Sequence, residues 1–201
     1  YGKFVDCPDC QYLIHHLTEE GICYVCLEKR YPEVQILSYD TDVVKHLKYQ
    51  FDKAKIKVQF EKLTRPVLMG CELEYNCPPD LSIQARLTLA KHVKEFAIFK
   101  SDGSLSSGGF EMVTLPATLP VHLARLSPVF AELPPGLISN ETTGMHIHLD
   151  RQVTTPLTTG RLIDFLNHND NLDFVQLVGE RKLTGYCRAN PAISWGAAIF
   201  G

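Results

Sequence analysis

Two short segments each place a pair of potential metal ligands two residues apart. "CELEYN" at residues 71–76 contains Glu72 and Glu74, and "GMHIHLD" at residues 144–150 contains His146 and His148. Both segments are apolar and strand-like, and side chains at i and i+2 of a strand point to the same face, about 6.5–7 Å apart. Two such pairs can face one pocket, although a Glu-x-Glu pair on a strand is by itself more often two solvated carboxylates.

Four of the seven cysteines form a second metal-binding pattern. Cys7, Cys10, Cys23 and Cys26 follow the spacing C-x2-C-x12-C-x2-C, and Zn²⁺ prefers four thiolates in a tetrahedral arrangement. Four protein ligands leave no position for water, so this zinc ion would be structural. Two disulfides are the alternative, but a reducing compartment and three leftover thiols argue against them.

The elements that must position these residues follow from hydrophobic periodicity and turn signals. Strands are predicted at residues 55–60, 67–75, 96–100, 109–114 and 143–150. Helices are predicted at residues 40–54, capped by Asp40 or Asp42, at 77–96, and at 117–133 with a break or a new start at Pro128. The last helical region is predicted at 157–181, as one helix or as two helices around "NHNDN". This order predicts an α+β fold with a curved antiparallel sheet covered by helices on one face.

The same reading divides the chain into three parts. Residues 1–32 form the predicted zinc module, residues 33–60 a connector with a helix and a strand, and residues 61–201 the main domain. Cys71 would point away from both neighbouring glutamates, so it is not expected to be a nucleophile. Cys77 and Cys187 are interpreted as small packing residues.

Composition indicates a globular intracellular protein. The 201 residues are 45% hydrophobic and 21% charged, with a net charge of −3, so no basic surface for nucleic acid is expected. No apolar run approaches the roughly 20 residues that span a bilayer, and the N-terminus lacks the apolar segment of a signal peptide. We therefore expect a cytoplasmic location and no membrane partner.

Four segments, taken in order, carry a family resemblance. "MGCELEYN", "FKSDGSLSSGGFEMVTLPATL", "TTGMHIHLD" and "GERKLTGYCR" closely resemble the amidoligase family of the glutamine synthetase and glutamate-cysteine ligase superfamily. The resemblance covers residues 67 to about 188, well over half of the chain. It implies a glutamine synthetase-like catalytic fold, and members of this kind look common in bacteriophages and in bacterial loci that modify peptides.

The resemblance also implies an activity and a set of site residues. Similar enzymes use ATP and Mg²⁺ to phosphorylate a carboxylate, and an amine then attacks the acyl phosphate. By this resemblance His148 contacts the nucleotide, Arg181 binds phosphate, and Lys100 and Asp102 line the site, although both could instead be exposed turn residues. The residues that match the Mg²⁺ ligands are Glu72, Glu74, Glu111 and His146.

Three other functions stay open at this level. Relatives continue into a strand with a Glu-x-Arg pair that this sequence lacks. A fragment of a longer protein, a disordered segment, or a degenerate domain used for binding or as a phage virion component would each explain this difference. Two histidines and a carboxylate also suit a hydrolase or oxygenase that uses Zn²⁺ or Fe²⁺. The zinc module could also be an adaptor that binds a protein or nucleic acid partner. Tyr12, Tyr24 and Tyr31 could then stack on bases, although packing inside the small module is the more common role of such residues.

Overall fold

The computed structural model describes residues 5–11, 13–14, 21–47, 67–93, 95–151, 154–179, 182–183 and 188–189. Residues 1–148 and 149–201 form separate compact units. The strand predicted at residues 55–60, most of the second half of the helix predicted at 40–54, Arg181 and Cys187 lie outside the described residues. The predicted domain boundaries at residues 32 and 60 stay predictions.

Seven strands form two sheets in the described part of the chain. β1 (Val5–Asp6) and β2 (Leu13–Ile14) are an antiparallel pair. The larger sheet has the order β3-β5-β6-β4-β7. Its strands are β3 (Ile36–Leu37), β4 (Met69–Tyr75), β5 (Ala97–Lys100), β6 (Phe110–Thr114) and β7 (Met145–Leu149). Four of the five predicted strands are confirmed.

The sheet is mixed, so the prediction of a purely antiparallel sheet was wrong. β4 and β5 both pair antiparallel with β6, but β3 runs parallel to β5, with Ile36 opposite Phe99. Sequence analysis placed β3 in a connector because a two-residue strand carries no detectable alternation. The α+β class is confirmed.

Four α-helices lie in the described residues of the unit 1–148. They are α1 (Tyr24–Arg30), α2 (Val43–His46), α3 (Pro79–Val93) and α4 (Leu119–Ala131). Asp42 caps α2 by accepting hydrogen bonds from the backbone N–H groups of Val44 and Lys45, as predicted. The predicted break at Pro128 was wrong. Pro128 removes one backbone hydrogen bond, but α4 continues past it because Leu126 and Val129 on either side are buried.

One face of the larger sheet packs into the hydrophobic core. Leu73, Phe99, Phe110 and Met112 are all buried there, together with apolar residues of α3 and α4. Fully burying a side chain of this size stabilises a fold by roughly 1.5–3 kcal/mol. Because neighbouring residues of a strand point to opposite faces, the acidic residues of β4 and β6 lie on the other face.

The unit of residues 149–201 contains two described α-helices, α5 (Pro156–Asn167) and α6 (Leu172–Gly179), which confirms the prediction of two helices around "NHNDN". Thr155 caps α5 by accepting a hydrogen bond from the N–H of Thr158 at 3.1 Å. The rings of Phe165 and Phe174 meet edge to face, with centroids 5.9 Å apart. None of the helices in the described ranges combines the length and apolar character needed to cross a membrane.

Candidate functional site

The four N-terminal cysteines lie together as a metal-binding set. One sulfur from each of Cys7, Cys10, Cys23 and Cys26 lies within 4.8 Å of the others, and all four are thiols. The Cys10 and Cys23 sulfurs are 3.7 Å apart, close to the separation of about 3.8 Å that two sulfurs have around tetrahedral zinc with 2.3 Å bonds. These cysteines can therefore bind a metal ion such as zinc.

Backbone N–H groups stabilise the thiolate form of one cysteine in this cluster. Burial raises the pKa of Cys7, but hydrogen bonds from the N–H groups of Cys23, Cys10 and Asp9 lower it, so that its pKa is about 6. Burial and hydrogen bonds to the other three thiols raise the pKa of Cys26 to about 12. Metal binding needs deprotonated sulfurs, so Cys7 is the member best prepared to ionise first.

Acidic and basic side chains form a row across the other face of the larger sheet. Glu74 on β4 is the direct cross-strand partner of Glu111 on β6, and Glu111 is the partner of Lys100 on β5. Glu72 lies two residues before Glu74 and points to the same face. Directly paired residues have Cβ atoms about 4.5–5.5 Å apart, so the sheet brings three carboxylates and one ammonium group together.

Glu111 is the most buried member of this row. Only 1% of the residue is exposed, and burial raises the pKa of its carboxyl group, with Glu72 and Asp102 adding to the rise and Lys100 opposing it. Lys100 Nζ lies 3.3 Å from Glu111 Oε1, but within the described residues this oxygen accepts no well-aligned hydrogen bond. This oxygen therefore has Lys100 as its cationic partner, in an ion pair without good hydrogen-bond geometry, and it has room for a further cation beside that ion pair.

The two histidines of β7 both approach the carboxylates of β4. His146 Nδ1 lies 3.1 Å from Glu72 Oε2, and His146 Nε2 lies 3.6 Å from Glu74 Oε1. His148 Nε2 lies 3.3 Å from the same oxygen of Glu72. The main chain fixes this arrangement, because the N–H of Glu74 donates to the carbonyl of Gly144 at 3.0 Å, just before β7 begins.

Lys100 and Asp102 differ in their environments. Lys100 is the last residue of β5 and is buried, so it faces the acidic row and is not a solvated turn residue. Its ammonium group lies 5.0 Å from the centroid of the Tyr39 ring. Asp102 is in the following turn, where its carboxylate accepts a hydrogen bond from the N–H of Ser104 at 2.7 Å.

Asn76 is a site-building residue that sequence analysis missed. Its side-chain oxygen accepts a hydrogen bond from the N–H of Ser106 at 2.7 Å, and its amide nitrogen donates to Thr142 Oγ1 at 2.8 Å. It thus ties the hairpin before Glu111 and the loop before β7 to the end of β4. The segment "CELEYN" contains it, and an asparagine two residues after Glu74 was the available signal.

Two further predictions about site residues have different outcomes. Cys71 is buried with Leu73 and Tyr75 on the core face, away from the glutamates as predicted, and burial raises the pKa of its thiol. Arg181, the predicted phosphate ligand, lies outside the described residues, and its role stays a prediction.

Comparison of the chain with protein-family models, with curated proteins and with solved structures gave no match in any of the three cases. The candidate function therefore depends on the side chains described above.

Proposed function

We propose that this chain is an ATP-dependent carboxylate–amine ligase with a glutamine synthetase-like catalytic fold. The proposal combines the order of the sequence motifs with the row of charged residues on the face of the sheet opposite the hydrophobic core. Glu72, Glu74, Glu111 and His146 are the proposed Mg²⁺ ligands. The observation that carries the proposal is the direct pairing of Glu74 with Glu111, which places a second carboxylate beside the buried carboxylate of Glu111.

The residues fit the requirements of magnesium. Like charges directly opposite each other on neighbouring strands are destabilising, and a divalent ion between the carboxylates removes that cost. Mg²⁺ prefers oxygen ligands and usually keeps several waters or phosphate oxygens. Glu74 and Glu111 supply carboxylate oxygens from two rigid strands, which favours a defined position for the ion.

The protein's own groups have separate roles in this scheme. Bound Mg²⁺ and ATP would supply a phosphoryl group that activates a carboxylate substrate for attack by an amine. Lys100 Nζ lies 3.3 Å from Glu111 Oε1, where its ammonium group would stabilise negative charge on an oxygen that enters the row. Arg181 is proposed as a second phosphate contact, since a guanidinium group binds phosphate bidentately.

The test is ATP hydrolysis by the purified protein with Mg²⁺, screened against amino acids and peptides as carboxylate and amine substrates. Glu74→Gln should lower kcat/KM by about 100-fold or more, as expected for the loss of a group that stabilises transition-state charge. Glu95→Gln is the matched control, because Glu95 is exposed in the turn before β5. Unchanged activity in Glu74→Gln, or no nucleotide binding by the wild type, would refute the proposal. The second result would favour a degenerate, binding domain.

A further inference from the structure

Both histidines of β7 point at one carboxylate. His146 Nδ1 and His148 Nε2 lie 3.1 and 3.3 Å from the same Glu72 oxygen. One ligand atom from each of the three residues lies within 4.8 Å of the others. The resemblance assigns His148 to the nucleotide, whereas the geometry brings it to Glu72.

These separations suit ligands that share an ion. Two atoms bonded to one metal at about 2.1 Å are about 3.0 Å apart at adjacent octahedral positions and about 3.4 Å apart at tetrahedral positions. Two imidazole nitrogens and one carboxylate oxygen are also a donor set that favours zinc, cobalt or iron(II) over magnesium. The neighbouring pair of Glu74 and Glu111 offers oxygens alone, which is the set that magnesium prefers.

We propose that Glu72 and His146, matched above to Mg²⁺ by the resemblance, instead hold a divalent transition-metal ion of their own together with His148, and that magnesium keeps the position at Glu74 and Glu111. The side chains of both histidines are more than half exposed, at 58% and 62%, so three protein ligands leave coordination positions open toward solvent. An open position can take water or an oxygen of a substrate. The role of this ion in a reaction rests on the proposed ligase function, but the binding of the ion by these three residues does not.

The test is the zinc content of tag-free protein dialysed in zinc buffer without nucleotide. The wild type should hold about two zinc ions per chain, one at the cysteines and one at the histidines. His148→Phe should hold about one, because it keeps a planar ring but lacks the ligand nitrogen. His146→Phe should behave in the same way, and excess Mg²⁺ should not displace the second ion from the wild type.

His46→Phe is the matched control, because His46 is an exposed histidine at the end of α2, and this variant should keep the second ion. The proposal is overturned if the wild type holds a single zinc ion, or if His148→Phe still holds two. Cobalt distinguishes the two sites. Co²⁺ added to protein with one zinc ion per chain should show nitrogen and oxygen ligation, without the charge-transfer absorption of a thiolate ligand. Strong thiolate absorption would contradict the assignment.

The outcome of this test is independent of catalysis. Two zinc ions in a protein that binds no nucleotide would support the transition-metal site and refute the ligase. A single zinc ion in a protein that hydrolyses ATP would refute the site and leave the ligase standing.

Discussion

Arg86 Nη2 lies 2.9 Å from Glu28 Oε1, and this ion pair joins α3 to α1, the helix that contains Cys26. The side chain of Arg86 is only 4% exposed, and it also donates to the carbonyl groups of Val34 and Ser82. Burial lowers the pKa of Arg86, whereas Glu28 raises it. The buried guanidinium group of Arg86 therefore links α1, which contains Cys26, to α3, which packs on the core of the larger sheet.

Glu28→Gln should destabilise the protein, because it leaves the buried guanidinium group without its charged partner. Removing one member of a fully buried pair costs about 3–5 kcal/mol. Glu28 is 34% exposed, so water screens part of this loss, and we expect a decrease of about 1–2 kcal/mol in the free energy of unfolding. Urea unfolding of the variant and the wild type at neutral pH measures this difference in the free energy of unfolding.

The control is the ion pair of Arg30 and Asp9. Its nitrogen–oxygen distance of 2.7 Å is similar to the 2.9 Å of Arg86 and Glu28, but its side chains are 46% and 38% exposed. Asp9→Asn should change the free energy of unfolding by less than about 1 kcal/mol, as for other surface ion pairs. An equal effect of the two substitutions would show that the Arg86 contact is no stronger than a surface contact.

Removing the metal from the cysteines should unfold more than the N-terminal hairpin. Cys7, Cys23, Cys26 and Leu27 belong to the same hydrophobic cluster as Phe110 and the other core residues of the larger sheet. Metal binding contributes folding free energy wherever the site does not exist in the unfolded chain. We therefore expect a zinc chelator to lower the melting temperature of the whole unit of residues 1–148.

Amide hydrogen exchange with and without the chelator is the decisive measurement. Faster exchange in both α1 and β6 would agree with a shared core. Exchange that accelerates only before residue 32 would instead support the independent zinc module expected from the sequence, and would contradict this prediction.

The extent of agreement with sequence analysis has a physical explanation. Alternation along β4, β6 and β7 is local, so it correctly indicated that Glu72 and Glu74 share a face and that Cys71 lies opposite. The cysteine spacing likewise identified a metal-binding set, because its two short turns are local features. Both the strand alternation and the spacing within each Cys-x2-Cys pair can be recognised from a few neighbouring residues.

Long-range features could not be predicted in this way. The pairing of β3 with β5 joins Ile36 to Phe99, and the ion pair of Arg86 with Glu28 spans 58 residues. Arg86 lies on a helix for which the sequence pattern predicted only a stripe of apolar residues. No sequence pattern distinguishes a buried arginine from an exposed one. The convergence of His148 on Glu72 depends on the register between β4 and β7, which periodicity does not specify.

Glu111→Gln should stabilise the magnesium-free protein at neutral pH. Burial raises the pKa of Glu111 in the folded state, so the folded protein binds that proton more tightly than the unfolded chain does. The resulting stability is present below the unfolded pKa of about 4.3 and is lost as the pH rises through the folded pKa. Glutamine mimics the neutral form at every pH.

Urea midpoints of the variant and the wild type should therefore agree near pH 4 and diverge toward pH 7, where the variant is more stable. Using the difference between the two proteins at each pH cancels the loss of zinc at low pH, which affects both alike. Saturating Mg²⁺ should reduce or reverse the difference, because it stabilises the wild-type carboxylate. A wild type that is more stable at pH 7 without magnesium would mean that attraction to Lys100 outweighs burial.

Gly108 and Gly103 belong to the same hairpin between β5 and β6, and their substitution should have opposite results. A Cβ atom at Gly108 would lie 2.6 Å from the backbone nitrogen of Pro79, so the hairpin cannot keep its position with any other residue there. At Gly103, none of the described atoms comes within 4 Å of such a Cβ. Gly108→Ala should destabilise the protein by roughly 1–3 kcal/mol, whereas Gly103→Ala should be nearly neutral.

The same pair of variants tests how the hairpin positions the acidic row. Moving Gly108 away from the start of α3 also moves Phe110 and Glu111, because β6 begins two residues later. Gly108→Ala should therefore weaken Mg²⁺-dependent nucleotide binding even at temperatures where it is fully folded, as judged by circular dichroism. Gly103→Ala should bind like the wild type. Equal binding by both variants would show that the hairpin and the carboxylates are positioned independently.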